Sequence, residues 1–404
     1  MKKNKRYESL DILRGIAIIL IVFFHTSVYN FANIHKIDFS NPPISVVLIS
    51  FLVLWGGLLI FYSGIVNAIM ISRRIEKDNK FTSIKHLIIG SGIYLIIHYL
   101  LNIVFGRWSN DFVNNQPHMT FVAQSIRNLD FSFPHITKLF EGSSISTIAF
   151  NLIFISILLY FILRKQGIKN EKKSYFTLFI IGSILMIISF VRVNLYHVLD
   201  LAINSKNYLL ATIYSYTIAN PYPLLPYLAY GLFGAMIGLM IHNKRRDLLK
   251  KVMLPISLFF IIFGIIGSMN FEKSISNPDF FWYFKTQLEL GIFILFSSLS
   301  FLLFEKNKKL TNKLQIVKWF SKVSLTVYML ETLVSEIFRK VLDLTIPMWN
   351  QTINNCLIFG AINVLIWIVI LFFWSKSNFV YSLEYFWVKL FKKLGKKSTK
   401  LQKN

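Results

Sequence analysis

Apolar segments close to 20 residues long recur along the chain and are separated by polar segments. Each one can cross about 30 Å of hydrocarbon as a helix, because an α-helix rises about 1.5 Å per residue. Membrane strands would instead show short segments of alternating polarity. The pattern therefore predicts an all-α, polytopic membrane bundle of about ten transmembrane helices. The predicted spans are residues 10–29, 46–70, 85–106, 146–163, 175–192, 223–241, 252–269, 287–304, 321–338 and 354–374.

The composition agrees with this prediction. Of 404 residues, 54% are hydrophobic and 16% are charged, whereas soluble domains average about 25% charged residues. These values exclude a disordered chain and argue against a soluble enzyme. A net charge of +25 would suit nucleic-acid binding, but the apolar spans favour basic loops held on the cytoplasmic side of a membrane. We therefore expect membrane lipids, and no nucleic acid, as partners.

The distribution of Lys and Arg predicts the topology. With a cytoplasmic N-terminus and alternating spans, cytoplasmic segments hold 33 of these residues and outer segments hold 10. This asymmetry predicts a multi-pass protein of the plasma membrane with both termini cytoplasmic. The outer loops 107–145 and 193–222 are long, which leaves space for a substrate on that face. The first span is too long for a cleavable signal peptide and lacks a cleavage site.

We expect one membrane domain, residues 1–388, followed by a basic cytoplasmic tail, residues 389–404, that faces solvent or anionic headgroups. The single cysteine, Cys356, excludes an intramolecular disulfide and a cysteine-based metal site. No HExxH, GxSxG or P-loop motif is present. We therefore expect no metal and no permanently bound cofactor. A homodimer is compatible with the sequence, which identifies no interface.

Ionisable residues inside a bilayer are costly and are therefore functional candidates. In the first span Asp11 and Arg14 are three positions apart and can pair on one face. Arg14 and His25 are eleven positions apart, or about three full helical turns, so they share a face about 16 Å apart along the axis. Either these residues line a path across the membrane, with His25 as a general base, or Arg14 reaches headgroups and His25 is merely interfacial.

The string SLDILRGIAIILIVFFH at residues 9–25 resembles the opening helix of the transmembrane acyltransferase superfamily. In its acyltransferase-3 branch, an Arg followed eleven residues later by a His marks this helix, as Arg14 and His25 do here. In its heparan-α-glucosaminide N-acetyltransferase-like branch, the catalytic His lies in the following outer loop, near the position of His35. The resemblance thus implies His25 or His35 as the catalytic base.

Further positions carry the same resemblance. Ser63 and Gly64, with Arg73 and Arg74 after them, are similar to the Ser-Gly motif of the second helix and its trailing basic pair. We expect Ser63 and Gly64 to allow close helix packing. For Arg73 and Arg74, plain anchoring at the cytoplasmic surface is an alternative to ligand binding.

Two later motifs extend the resemblance, and one segment departs from it. Pro-Leu-Leu-Pro at residues 223–226 resembles the entry helix of the heparan-acetyltransferase branch, and residues 324–331, SLTVYMLE, resemble a late Ser-Leu-Thr-x-Tyr motif. Glu331 stands where the family often has His or Gln. Residues 85–92 lack the arginine-rich run of the third acyltransferase-3 helix, which favours the heparan-acetyltransferase-like branch.

The resemblance implies an acyltransferase. An acyl group, expected to be acetyl, would move from cytoplasmic acyl-CoA, a co-substrate, to a sugar or glycan acceptor on the outer face. It implies that Arg14, Arg73 and Arg74 hold the phosphates of CoA, and that a histidine deprotonates the acceptor or takes the acyl group. Asp11 would orient Arg14.

Two other classes of function stay open from the sequence. A transporter or flippase for an anionic lipid-linked sugar could use the same Arg14 and His25 face as a pathway. A non-catalytic sensor or polymer-synthesis partner would not need that face. Glu289 and Glu331, inside or next to apolar spans, could pair with Arg14, with a histidine or with each other.

Overall fold

Helices form nearly all of the described chain, as the apolar pattern predicts. The computed structural model describes residues 7–33, 55–77, 81–106, 109–110, 117–134, 136–164, 170–218, 222–271, 280–305 and 308–390. In chain order the helices are α1 (Glu8–Val28), α2 (Trp55–Lys77), α3 (Thr82–Leu100), α4 (Phe121–Asn128), α5 (Ser144–Leu163), α6 (Glu171–Ile188), α7 (Val191–Asn204), α8 (Tyr208–Thr217), α9 (Leu224–His242), α10 (Leu254–Ser268), α11 (Phe280–Phe304), α12 (Lys308–Lys313), α13 (Gln315–Lys322), α14 (Ser324–Thr345) and α15 (Ile353–Lys376). A final helix, α16, covers residues 383–390.

Short elements of other geometry join these helices. They are the π-helical turns Leu101–Phe105 and Leu249–Met253, the 3₁₀ turns Ile136–Phe140 and Trp349–Gln351, a helical turn Arg246–Leu248 before α10, and two-residue strands Ser109–Asn110 and Pro117–His118, which pair antiparallel. The first π-helical turn extends α3, and the second joins Arg246–Leu248 to α10.

The apolar helices agree with a membrane bundle. Within the described residues, eight helices are long and apolar enough to cross a membrane. The pair α6 and α7 would make a ninth span, but the chain bends by 55° between them. The all-α, polytopic prediction is therefore confirmed. The predicted span 321–338 is also helical, but α14 carries buried and charged residues along its length and is not among the eight.

Three predicted boundaries differ from the structure. The second span was predicted at 46–70; α2 continues to Lys77, and residues 46–54 lie outside the described part. The predicted outer loop 193–222 contains most of α7 and all of α8, because polar residues interrupt a pattern that is still helical. The predicted span 321–338 is broken at Val323, between α13 and α14.

Helices α2 and α9 make the most extensive helix–helix contact within the described residues. Gly64 of α2 lies directly against the backbone of Gly231, and Gly234 of α9 lies against the carbonyl oxygen of Phe61. A Cβ at either Gly64 or Gly234 would overlap that opposing backbone. The expected role of Gly64 in close helix packing is what the structure has, and it lets α2 and α9 approach through their backbones.

We expect Gly234→Ala to destabilise the protein by about 1–3 kcal/mol, because backbone atoms cannot yield to an added methyl group as a flexible side chain can. The thermal midpoint of the purified protein in detergent would measure the loss. Gly92→Ala is the matched control, since a Cβ there meets no described atom within 4 Å and alanine favours a helix. Equal midpoints for the two variants would contradict the prediction.

Candidate active site

Helix α1 brings its ionisable residues to a junction with several other helices. It packs against α15 on one side and against α13 and α14 on another. Arg14 and His25 line two successive spaces along this helix: Arg14 lines a cavity of about 150 Å³, and His25 lines a small polar pocket beyond it. The shared face predicted from their spacing is therefore present.

The cavity lies among α1, α2, α3, α5 and α14. Most of its surface is apolar, but several hydroxyl, amide and guanidinium groups reach it. Its lining residues are Arg14, Ile18, Leu59, Tyr62, Ser63, Val66, Asn67, Tyr94, Ile145, Ile148, Ser324, Leu325 and Tyr328. Tyr328 also packs edge-on against the His25 ring, with 5.9 Å between ring centroids. One wall of the cavity therefore touches His25.

The guanidinium of Arg14 is held at the cavity by neighbours on three helices, α1, α2 and α13. Its Nε donates to Ser321 Oγ at 3.0 Å, and its Nη2 lies 3.4 Å from Asp11 Oδ1. Ser321 Oγ in turn donates to the same oxygen of Asp11 at 3.4 Å. The guanidinium also lies over the Tyr62 ring, 5.7 Å from its centroid. Asp11 thus orients Arg14, and the side chain keeps 30% of its surface exposed.

His25 forms a buried pair with Glu331 of α14. Its Nδ1 hydrogen-bonds Glu331 Oε1, and the two side chains are only 12% and 5% exposed. Because a carboxylate accepts the Nδ1 proton, the neutral ring keeps a lone pair on Nε2. The other oxygen, Glu331 Oε2, is buried and has no hydrogen-bond partner within the described ranges. The pair can therefore accept a proton and hold the resulting positive charge.

The short helix α4 covers the His25 pocket. Arg127 of α4 binds both carboxylate oxygens of Glu336 with its guanidinium, and its Nη2 donates to Asn30 Oδ1 at 3.1 Å. Lys340 Nζ adds a hydrogen bond to the Arg127 carbonyl at 3.1 Å. The pocket that remains beneath α4 has a volume of about 10 Å³. In this structure α4 therefore closes the end of α1 that carries His25.

A turn after α4 is held by an exposed carboxylate. Asp130 Oδ1 accepts from the Ser132 backbone N–H at 2.9 Å, and the Gln124 amide also donates to Asp130. The Ser132 N–H and the Gln124 amide keep the pKa of Asp130 below its usual value. Asp130 therefore stays ionised at neutral pH and keeps the chain after α4 ordered.

Of the remaining predicted site residues, Ser63 lies at the cavity and Arg73 lies away from it. Ser63 lines the cavity and donates to the Ile60 carbonyl at 2.9 Å. Arg73 lies over the Tyr7 ring, 5.6 Å from its centroid, which places it near the N-terminal end of α1. Neither Arg73 nor Arg74 is among the described residues that line the cavity. His35 lies outside the described residues.

A second buried carboxylate is separate from this site. Glu289 of α11 lies near the Tyr230 hydroxyl at 3.3 Å, the Tyr227 hydroxyl at 3.5 Å and Lys285 Nζ at 3.6 Å. His98 is also interior, with its nitrogens 2.8 Å from Ser143 Oγ and 2.9 Å from the Tyr216 hydroxyl. Of the two glutamates singled out from the sequence, Glu331 therefore pairs with a histidine, and Glu289 contacts a lysine and two tyrosines.

Sequence reasoning did not select Asn30, Arg127 or Glu336, and it included Tyr328 only as part of the motif at residues 324–331, without a role. One signal was present, because Glu336 falls within the predicted span 321–338 and a charge there is costly. Arg127 and Asn30 gave no signal, because the first lay in a predicted loop and the second followed the first span.

The comparisons with known proteins agree with the resemblance in the first helix. A model of the acyltransferase-3 family, described as an acyltransferase domain, matches residues 7–375. No curated protein matches the chain. Of the two branches that the motifs resemble, the match is therefore to acyltransferase-3, although residues 85–92 had favoured the other. The match spans nearly the whole chain, and the protein belongs to the acyltransferase-3 family.

Proposed function

We propose that the protein transfers an acyl group, expected to be acetyl, from acyl-CoA to a hydroxyl or amino group of a sugar or glycan acceptor. The observation that carries the proposal is the His25–Glu331 pair, separated from Arg14 along one helix, with a cavity between them. The distance along α1 from Arg14 to His25 is about 16 Å. Such a separation suits a donor that is held at one end and reacts at the other.

The basic residues support an orientation for the two substrates. The excess of Lys and Arg on alternate loops favours a cytoplasmic location for the N-terminal end of α1 and for the chain's C-terminus in the plasma membrane. Acyl-CoA carries several negative charges and does not cross a bilayer. In this orientation Arg14 meets the donor from the cytoplasm, and Arg73 and Arg74, near the same end, add positive potential.

The chemistry follows from the neutral Nε2 of His25. This nitrogen takes the proton of the acceptor hydroxyl or amine, and the acceptor atom attacks the thioester carbonyl. A carbon–oxygen or carbon–nitrogen bond forms, the carbon–sulfur bond breaks, and the imidazolium returns its proton to the leaving thiolate. Glu331 fixes the tautomer of the neutral ring, with the proton on Nδ1, and stabilises the imidazolium once it forms, as a carboxylate partner does in other histidine-based sites.

The lining of the His25 pocket supports a polyhydroxylated acceptor. Its side chains donate and accept hydrogen bonds in many directions, which suits a sugar better than an apolar molecule. The residues are His25, Thr26, Tyr29, Asn30, Arg127, Glu331, Thr332, Ser335 and Glu336. This lining favours a glycan or sugar acceptor on the outer face.

The test is binding and turnover of labelled acetyl-CoA by the purified protein in detergent. We expect Arg14→Gln to raise the Kd for acetyl-CoA by about 10- to 100-fold, because a hydrogen bond to a charged group contributes about 1.5–3 kcal/mol. Arg245→Gln is the matched control, since Arg245 pairs with Glu171 and Asp247 away from the cavity. Label that stays on the wild-type protein and is lost in His25→Ala would indicate an acyl-histidine intermediate.

Absence of binding and turnover with acetyl-CoA and with longer acyl-CoAs would contradict the proposal. Transport of an anionic lipid-linked sugar would then become the stronger function. Equal affinities for wild type and Arg14→Gln would remove Arg14 from the donor site while leaving the transfer itself in place.

A further inference from the structure

Helix α14 begins next to the cavity and cannot cap itself. The residue before it, Val323, has an apolar side chain, which cannot accept a hydrogen bond from the first N–H groups of the helix. The first N–H groups of any helix lack partners within that helix. Inside a membrane protein such groups need another acceptor, because an unsatisfied N–H in an apolar environment costs several kcal/mol.

Glu384 of α16 supplies that acceptor from a distant part of the sequence. Its Oε1 accepts from Leu325 N at 2.6 Å and from Thr326 N at 3.4 Å, and its Oε2 accepts from Thr326 Oγ1 at 2.6 Å. The Thr326 hydroxyl accepts in return from Leu383 N at 2.8 Å. These reciprocal hydrogen bonds between side chains and backbone N–H groups are like those of a capping box. Here, however, one partner belongs to α14 and the other to α16.

The chain after α15 adopts an unfavourable backbone to place α16 there. Asn378, Phe379 and Tyr381 have φ values of 53°, 56° and 68°, a left-handed conformation that residues other than glycine avoid. Such conformations persist where the surroundings determine them, and they concentrate at functional positions. Three of them within four residues bring the chain back from the end of α15 to the start of α14.

Contacts along the cavity wall hold α16 in place. The Trp387 ring lies 4.8 Å from the ring of Tyr94, which lines the cavity. Leu383 packs in the same apolar cluster as Met329 of α14 and Ile145 of α5. Glu384 is therefore fixed relative to the helices that surround the donor cavity, and not only to α14.

The start of α14 sets the position of the site residues on it. Tyr328 lies four residues after Ser324, and Glu331 lies seven residues after it, about 10 Å along the axis. Because a helix is rigid over this length, a shift at its start moves both side chains relative to His25. We propose that Glu384 is a positioning residue, which holds α14 in the register that brings Glu331 to His25; its effect on transfer rests on the proposed function.

The experiment compares Glu384→Ala and Glu384→Gln in the full chain, purified in detergent. Glutamine keeps an acceptor oxygen for the two N–H groups, and alanine does not. Asn170→Ala is the matched control, because Asn170 caps α6 through Lys173 N at 3.2 Å and α6 carries none of the site residues. Three readouts are used: amide exchange of residues 324–330, thiol labelling of Thr332→Cys, and steady-state transfer.

We expect Glu384→Ala to speed amide exchange at the start of α14 and to speed labelling at position 332, which is only 4% exposed. The kcat for transfer should fall roughly 10- to 100-fold, the loss that about 1 Å of misplacement can cause. Glu384→Gln should restore most of kcat, and Asn170→Ala should change neither exchange at α14 nor kcat.

Unchanged amide exchange and labelling in Glu384→Ala would overturn the proposal, whatever the rate of transfer. Faster exchange with an unchanged kcat would also overturn it, because Glu384 would then stabilise α14 without placing Glu331. If the wild-type protein turns over no acyl-CoA, the proposed function fails. Faster labelling at position 332 in Glu384→Ala would still support the positioning of α14 by Glu384.

Discussion

His25→Ala is expected to lower acyl transfer by roughly 10²- to 10⁴-fold, the usual contribution of a positioned general base. Alanine removes the Nε2 lone pair, so the acceptor keeps its proton when it meets the thioester. Because the buried Glu331 carboxylate loses its hydrogen bond from His25, the variant should also lose some stability. Transfer of labelled acetyl from acetyl-CoA, normalised to protein in the membrane, measures the effect.

The control for this variant is His197→Ala, because His197 is exposed on α7 and is not among the residues that line the His25 pocket. It should retain full transfer. Full transfer by His25→Ala would remove His25 from the reaction and would assign the base to His35, the other histidine that the family resemblance implies.

Glu331→Gln is expected to lower kcat by roughly 10²-fold, with little change in the affinity for acyl-CoA. The amide keeps the size of the carboxylate, but it cannot stabilise an imidazolium, and its NH₂ group can turn the ring to the wrong tautomer. Since Glu331 is not among the residues that line the donor cavity, the substitution should slow the chemical step without weakening the binding of acyl-CoA. The measurement is kcat by steady-state kinetics beside the Kd for acetyl-CoA.

Glu289→Gln is the matched control, because it is the same change at another buried carboxylate, 4% exposed, that contacts Tyr230 and Lys285. It should lower thermal stability and leave kcat near the wild-type value. A Glu331→Gln variant with wild-type kcat would show that His25 acts without its carboxylate partner. Loss of acyl-CoA binding in that variant would place Glu331 with the donor.

Local features of the site could be predicted from the sequence. The pairing of Asp11 with Arg14 follows from a spacing of three in a helix, and the common face of Arg14 and His25 follows from helical geometry. The helical, membrane-spanning character of the chain follows from the apolar pattern, because a bilayer requires long apolar segments. The number of spans is less exact, since the pattern predicts about ten and eight described helices are long and apolar enough. The family followed from motifs in several spans, which the match over residues 7–375 then confirmed.

Contacts between distant segments could not be predicted in this way. Glu331 and His25 are separated by 306 positions, and Arg127 and Glu336 by 209. No helical period relates residues on different helices, so only the packing of α1, α4 and α14 brings them together. The charged residues of α14, which include Glu331 and Glu336 of the site, also lower its mean hydropathy. This helix therefore looks less like a membrane span than the others do.

The closure of α4 over His25 has a consequence for side reactions. A volume of about 10 Å³ accommodates at most one water molecule, and Arg127 is tied to Glu336 and Asn30 across it. In the proposed reaction, a loaded donor would therefore meet a base that bulk water cannot reach. Hydrolysis of the thioester would be suppressed until an acceptor displaces the Arg127 contacts, so the energy of the thioester would be conserved for transfer.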